Sequence, residues 1–263
     1  MTLGDLRALQ ADLRAKCSQM GMRGTILLSP EGINLFVAVS PGAADEFVKY
    51  LRTIPGLAQL SPKISESDHQ PFNRMLVKIK KEIIAFGVSG IDPGRRPAPR
   101  VSPKMLREWL DQGRPVTLLD TRNTYEIKLG TFRGARTLGL AHFRQFPLAA
   151  ASLPAHLKEE PIVTFCTGGI RCEKAAPFLR EAGFTQVFQL DGGILGYFEE
   201  CGGEHFEGDC FVFDKRVALD SCLRETGAAY CFVCQTPLTI QEQEDPRYVM
   251  SISCPHCHEP SGG

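Results

Sequence analysis

Apolar residues at Leu3, Leu6, Leu9, Leu13 and Cys17 recur every three or four positions, which predicts an amphipathic helix over residues 3–20. The period then shortens. Gly24-Thr25-Ile26-Leu27-Leu28 and Ile33-Asn34-Leu35-Phe36-Val37-Ala38-Val39 are β-rich runs on either side of Ser29-Pro30-Glu31-Gly32, a hairpin with a four-residue turn. A second helix is expected from about Ala43 to Ile54, stopped by Pro55-Gly56. A weak strand pattern follows near Gln59–Ser65. A stronger one, Met75–Lys80, runs on into Glu82–Phe86.

Beyond Asp92 the grammar changes. Ser102-Pro103 has the form of an N-cap with proline at the first helical position, opening a helix over Lys104–Leu110 that stops near Gly113. Val116–Asp120 reads as a buried strand ending in an acid. Helical residues from Phe143 to Leu157, a strand Ile162–Phe165, a helix Glu173–Glu181, a strand Gln186–Leu190 and a helix from Gly193 complete the series. Alternating strands and helices argue for an α/β domain with a mainly parallel sheet, whose ligands bind beyond the carboxyl ends of the strands.

The expected fold class is therefore mixed. Residues 1–92 read as an α+β domain of order α-β-β-α-β, which resembles a ferredoxin-like domain lacking its first strand. In that fold the missing strand is central. The expectation is either a gap in the sheet, from a chain that begins downstream of its natural start, or a different strand arrangement. Residues 93–99 form a basic, proline-rich linker, 100–202 the α/β domain, and 203–263 a cysteine-containing tail.

Composition narrows the partners. Thirty basic and thirty acidic residues cancel, so a nucleic-acid surface must be local. One such strip is visible. Between residues 71 and 107, nine basic residues face only Glu82 and Asp92, and Lys78, Lys80, Lys81, Arg95, Arg96 and Arg100 are the candidate RNA contacts. A solvated strand face with an exposed linker is the competing reading. No apolar run approaches the ~20 residues that cross a bilayer, and the start lacks the form of a signal peptide. Ten cysteines in a chain this large, several in C-x-x-C pairs, suit reduced thiols in a cytoplasmic protein. Nothing indicates a protein partner.

The chemistry concentrates at Cys166. A strand ends there, Thr167-Gly168-Gly169-Ile170-Arg171 follow, and Cys172 opens the helical pattern. Backbone N–H groups converging at such a turn, above a helix N-terminus, favour a thiolate. The bland alternative is a buried cysteine closing a core strand. Arg171 is an added positive charge or an outward surface arginine, and Cys172 a resolving thiol or a packing residue. Four residues lie between Cys166 and Arg171, one too few for the loop that wraps phosphate. No 2-His-1-carboxylate set or dinucleotide fingerprint is apparent.

Asp120-Thr121-Arg122 with Glu126, then Gly130-Thr131-Phe132-Arg133-Gly134-Ala135, resemble the rhodanese pattern. So do the Cys166–Arg171 loop and Leu190-Asp191-Gly192-Gly193-Ile194. Thr131 replaces the usual histidine, leaving one structural hydrogen bond without a donor, and Tyr197 stands where tryptophan is common. Asp120, Arg122 and Glu126 are expected to hold the strand end. The longer string Cys166-Thr-Gly-Gly-Ile-Arg-Cys-Glu-Lys-Ala175, with Pro30-Glu31-Gly32-Ile33-Asn34 and Phe211-Val212-Phe213-Asp214, is similar to the bacterial tRNA uridine(34) hydroxylase family. That resemblance implies oxygen-dependent formation of 5-hydroxyuridine at the wobble position, with molecular oxygen as co-substrate, the anticodon region of tRNA as partner and Cys166 essential. The loop alone is equally at home in a sulfurtransferase that carries sulfane sulfur on Cys166. A non-catalytic binding module is a third reading.

The tail holds Cys231-x2-Cys234 and Cys254-x2-Cys257, nineteen residues apart. Four thiolates on two knuckles suit a structural Zn²⁺ of the zinc-ribbon kind, with His256 and His258 as bystanders or substitute ligands.

Overall fold

The computed structural model describes residues 4–91 and 97–258. In the first domain, α1 (Leu6–Gln19) is capped by Asp5, whose carboxylate accepts the N–H groups of Arg7 and Ala8. β1 (Arg23–Ser29) and β2 (Gly32–Ala38) pair antiparallel, with Ser29 opposite Gly32 and Pro30-Glu31 at the tip. After α2 (Pro41–Thr53), β3 (Met75–Ile79) lies parallel to β1 on its other side. The sheet order is β2-β1-β3, so the gap expected from a missing first strand is closed. Leu13, Cys17, Ile26, Leu28, Phe47, Leu51 and Val77 form the core between this sheet and its helices.

Two predicted strands are absent, each because its backbone is used elsewhere. Residues 59–65 lie in an irregular crossing, where Leu60 N–H donates to Leu57 O at 2.9 Å and Leu60 O accepts from Arg52 at 3.1 Å. At 82–86 the amides are taken by carboxylates. Ile83 N–H donates to Glu31 at 2.9 Å, and Phe86 N–H to Glu82 at 3.1 Å. Phe86 then packs against Phe143, Phe146 and Phe178, inside the second core.

The second domain starts with β4 (Arg100–Val101) and α3 (Pro103–Asp111), capped by Ser102 as the sequence predicts. Next come β5 (Thr117–Asp120), the one-turn α4 (Thr124–Ile127) and β6 (Gly130–Phe132). The helical stretch expected over 143–157 is broken into a 3₁₀ turn at Phe143–Gln145, α5 (Phe146–Ala150) and a second 3₁₀ turn at Ala155–Lys158. Pro154 explains the break: it has no N–H to donate and pushes Leu153 out of the helical region. β7 (Ile162–Phe165), α6 (Cys172–Glu181), β8 (Val187–Leu190) and α7 (Gly193–Cys201) complete a parallel sheet of order β4-β8-β7-β5. Apolar clusters cover both faces, which is why β7 is buried at every position. β9 (Phe206–Gly208) pairs with β6, and β10 (Cys210–Phe211) with β11 (Ala218–Leu219). The tail adds β12 (Ala229–Tyr230), β13 (Pro237–Leu238) and α8 (Ile240–Glu244). Among the described residues, no helix is long and apolar enough to cross a membrane.

Candidate active site and metal centre

Cys166 follows β7 at the carboxyl edge of the sheet and is 1% exposed. The loop curls back so that Gly169 N–H points at its sulfur, 3.1 Å away. Gly169 has φ +96°, a conformation open to glycine and strained for other residues. The loop rests on a floor. Ile194 and Leu195, in the first turn of α7, donate their N–H groups to Cys166 O (2.9 Å) and Thr167 O (3.1 Å). Gly193 makes this approach possible: at φ +61°, a Cβ there would fall 2.4 Å from Cys166 O and 2.8 Å from Gly169 N. On another side Thr167 Oγ1 donates to Phe211 O at 3.4 Å, tying the loop to β10.

Burial pushes the Cys166 thiol up, but it is outweighed. A hydrogen bond from Cys172, the charge of Arg171 and the N–H groups of Arg171 and Gly169 bring the thiol down from 9.0 to about 6. Cys172 goes the other way: its burial, its bond to Cys166 and the Cys166 charge hold it well above the usual thiol range. It is fully buried, with its sulfur 3.8 Å from Thr121 Oγ1. The arrangement is one thiolate beside one neutral thiol donor.

Arg171 is no surface residue. It is 6% exposed, and its Nη2 lies 3.0 Å from both carboxylate oxygens of Glu126. Glu126 is fixed in turn, because Asn123 N–H donates to it at 3.0 Å in the capping box of α4. Sequence reasoning grouped Glu126 with Asp120 and Arg122, and the structure separates them. Asp120 and Arg122 form a wholly buried pair at 2.7 Å, with Arg122 also donating to Gly130 O at 2.7 Å. Thr131 Oγ1 donates to Asp120 at 2.8 Å and so supplies the hydrogen bond that the absent histidine left open. Tyr197 packs edge-on against Phe132 and donates its hydroxyl to Glu204 O at 2.9 Å. Arg171 Nη1 is buried and, among the described residues, has no hydrogen-bond partner.

One contact was missed entirely. Lys174, on the first turns of α6, is 1% exposed and pairs with Glu31 at the β1–β2 tip and with Glu82 at 3.5 Å. The signal was present as Pro30-Glu31-Gly32, but no local pattern links a hairpin tip to a lysine in another domain.

The basic strip is divided. Lys78, Lys80 and Lys81 are exposed at and just after β3. Arg74 lines an open depression on the first domain together with Arg14 and Arg23. Arg100 is engaged by Asp191 (2.7 Å) and Glu173 (3.5 Å), near Gly168 and Gly169 of the loop. Arg95 and Arg96 lie outside the described residues.

In the tail the four sulfurs of Cys231, Cys234, Cys254 and Cys257 all lie within 4.8 Å of one another. Three of the spacings are 3.6, 3.7 and 3.8 Å. A tetrahedron of sulfurs about 2.3 Å from a central Zn²⁺ has edges of roughly 3.8 Å, so the donor set fits that ion. His256 is held by Glu242 at 2.6 Å, outside the cluster.

Comparison with known proteins agrees with this architecture. The family described as UPF0176 acylphosphatase-like domain matches residues 1–83, and the rhodanese-like domain family matches 102–200. A tRNA uridine(34) hydroxylase of Cupriavidus necator is 49% identical over 262 residues, covering 98% of this chain and 93% of its own. One from Burkholderia vietnamiensis is 50% identical over 252 residues, covering 92% and 89%. The chain belongs to the tRNA uridine(34) hydroxylase family. In this chain the acylphosphatase-like match is followed by the rhodanese-like one. A rhodanese-like domain from Anabaena, solved in solution, is 28% identical over 42% of this chain and 79% of its own, with a TM-score of 0.35.

Proposed function

We propose that this protein hydroxylates C5 of the wobble uridine of tRNA, with Cys166 as the nucleophile. The reading is supported above all by identity to tRNA uridine(34) hydroxylases along nearly the whole chain, rather than along the rhodanese segment alone. The site chemistry is compatible. A thiolate at C6 of uracil pushes an electron pair toward C5 and O4. C5 then bonds to oxygen that O2 and two electrons from a thiol-class reductant have brought to the peroxide level. The O–O bond breaks to release water, and departure of the thiolate with loss of the C5 proton restores the ring. Arg171 holds a positive charge beside the Cys166 sulfur, where it would stabilise negative charge that builds on the ring. The overall change replaces C5–H by C5–OH. Molecular oxygen gives one atom to the ring and the other to water, with two electrons from a thiol-class reductant.

The roles follow the geometry. Thr167, Gly168, Gly169 and Ile170 shape the loop, Arg171 supplies charge, and Cys172 donates to the Cys166 thiolate. Lys78, Lys80, Lys81 and Arg100, with Arg95 and Arg96, are proposed contacts to RNA phosphates near the anticodon. We place the enzyme in the cytoplasm, where tRNA is modified. Zn²⁺ is the proposed occupant of the four-cysteine cluster, where it would hold β12 and β13 against the second knuckle. Sulfane-sulfur transfer remains the second reading, favoured by the anion-holding loop itself.

Nucleoside analysis of tRNA from a deletion strain distinguishes them. Loss of 5-hydroxyuridine-derived nucleosides, restored by the wild-type gene and not by Cys166→Ser, is expected. Unchanged nucleosides in the deletion strain would exclude the hydroxylase reading.

A further inference from the structure

Phe211-Val212-Phe213-Asp214 is used by none of the chemistry above, yet it lies against the loop. Phe211 and Val212 are buried and the Asp214 side chain is 5% exposed, while Phe213 between them is 42% exposed. Its ring is not adrift. It meets Phe211 edge-on with centroids 5.0 Å apart, stands 5.6 Å from the Arg171 guanidinium and reaches Phe36 of β2 at 6.3 Å. Arg171 is the residue whose charge acts on Cys166 and whose buried Nη1 has no partner among the described residues. A solvent-facing aromatic ring is thus fixed over the guanidinium that flanks the Cys166 loop.

Phe36 continues this surface onto the first domain. Alternation along the strands puts Ile26, Leu28, Leu35 and Val77 toward α1 and α2, so Thr25, Leu27, Asn34, Phe36, Leu76 and Lys78 share the opposite face. The register makes two rows across the sheet: Phe36, Thr25 and Leu76, then Asn34, Leu27 and Lys78. These positions are half-buried or exposed, and the only charge among them is positive. Sheet faces with exposed aromatics and flanking cations bind single-stranded RNA, because every base offers a π-face and every phosphate a negative charge.

We propose that Phe36 and Phe213 stack a pyrimidine of single-stranded RNA beside Arg171, and that the outer face of the first sheet carries the flanking nucleotides. This rests on the reading of tRNA as substrate. It adds what selects the base and how an unpaired loop is presented to Cys166.

The test uses the full chain and a short stem-loop RNA carrying 5-iodouridine at the wobble position. Ultraviolet crosslinking is expected to label the peptides holding Phe213 or Phe36. Phe213→Leu and Phe36→Leu keep an apolar side chain but remove the π-face. Each should weaken binding of the stem-loop roughly 5- to 100-fold, while Phe213→Tyr binds as wild type. The rate and pH midpoint of Cys166 alkylation should stay unchanged in Phe213→Leu, whereas a ring that only braces Arg171 would move the midpoint and spare the affinity. Wild-type affinity in both leucine variants, or no crosslink at either ring, overturns the proposal. Persistent crosslinking by a protein whose deletion leaves 5-hydroxyuridine intact would sink the activity and leave the platform standing.

Discussion

Cys166 is a buried thiol that ionises easily because a fixed set of donors opposes the cost of burial. Its rate of alkylation by iodoacetamide should rise with pH around a midpoint near 6 and be flat above it, since only the thiolate reacts. Arg171→Gln removes the positive charge, so the midpoint should move up toward 9.0; an unmoved midpoint would show that N–H groups and Cys172 suffice. At this scale the sequence was informative for the nucleophile and poor for its support. Cys-x-x-Gly and the following arginine are local and readable. The Arg171–Glu126 pair spans forty-five positions, and no spacing rule reaches that far. Thr131 shows the reverse case. A departure from the family pattern left a hydrogen bond unassigned, and the hydroxyl at that position donates to the buried Asp120 carboxylate.

Among elements, the decisive relation is that between the Cys166 loop and the start of α7. Gly193→Ala would place a methyl against Cys166 O and force a non-glycine residue into the left-handed region. A loss of roughly 2–4 kcal/mol of stability is expected, with a slower Cys166 reaction, measured by urea denaturation and alkylation. Parallel strands were easy to recognise as continuous apolar runs such as Ile162–Phe165. One misread segment is one whose amides are taken by side chains. At Ile83–Phe86 the residue pattern is β-like, but Glu31 and Glu82 supply the acceptors that a neighbouring strand would have offered. Hydrophobic periodicity reports which faces are buried and not which partner satisfies the backbone.

For the whole molecule, the catalytic half and its neighbour are joined by a buried charge. Glu31→Ala would leave Lys174 with Glu82 alone. Breaking a buried pair costs ~3–5 kcal/mol, and because Glu82 remains, a loss of about 2 kcal/mol is expected in chemical denaturation, with faster proteolysis between the domains. The tail should behave as a separate unit. Extraction of the metal with a chelator, or Cys254→Ser, is expected to abolish bound zinc by elemental analysis and to make residues after 228 protease-sensitive, while Cys166 keeps its reactivity. Zinc content unchanged in Cys254→Ser would remove that site. A helix-and-hairpin segment, a strand-helix alternation and a pair of cysteine knuckles could each be read from composition and period, whereas Phe86, Ile91 and Ala98, expected with the first domain and the linker, pack in the core of the second. Their attachment could not be read, since it rests on contacts between residues far apart in the chain, among them Phe86 in the second core and Lys174 with Glu31.

The Lys174 anchor also bears on how the protein can be taken apart. A fragment beginning near Pro97 would hold every residue of the Cys166 loop but leave behind both carboxylates that receive the amine on α6. The same cut takes away the segment that carries those carboxylates, so the amine on the first turns of α6 would lose both partners at once. Isolated C-terminal halves would then carry the Cys166 loop on a helix stripped of its two acidic partners, so rates measured on them would not stand for the intact chain. Modularity in the gene does not carry over to modularity in the chemistry.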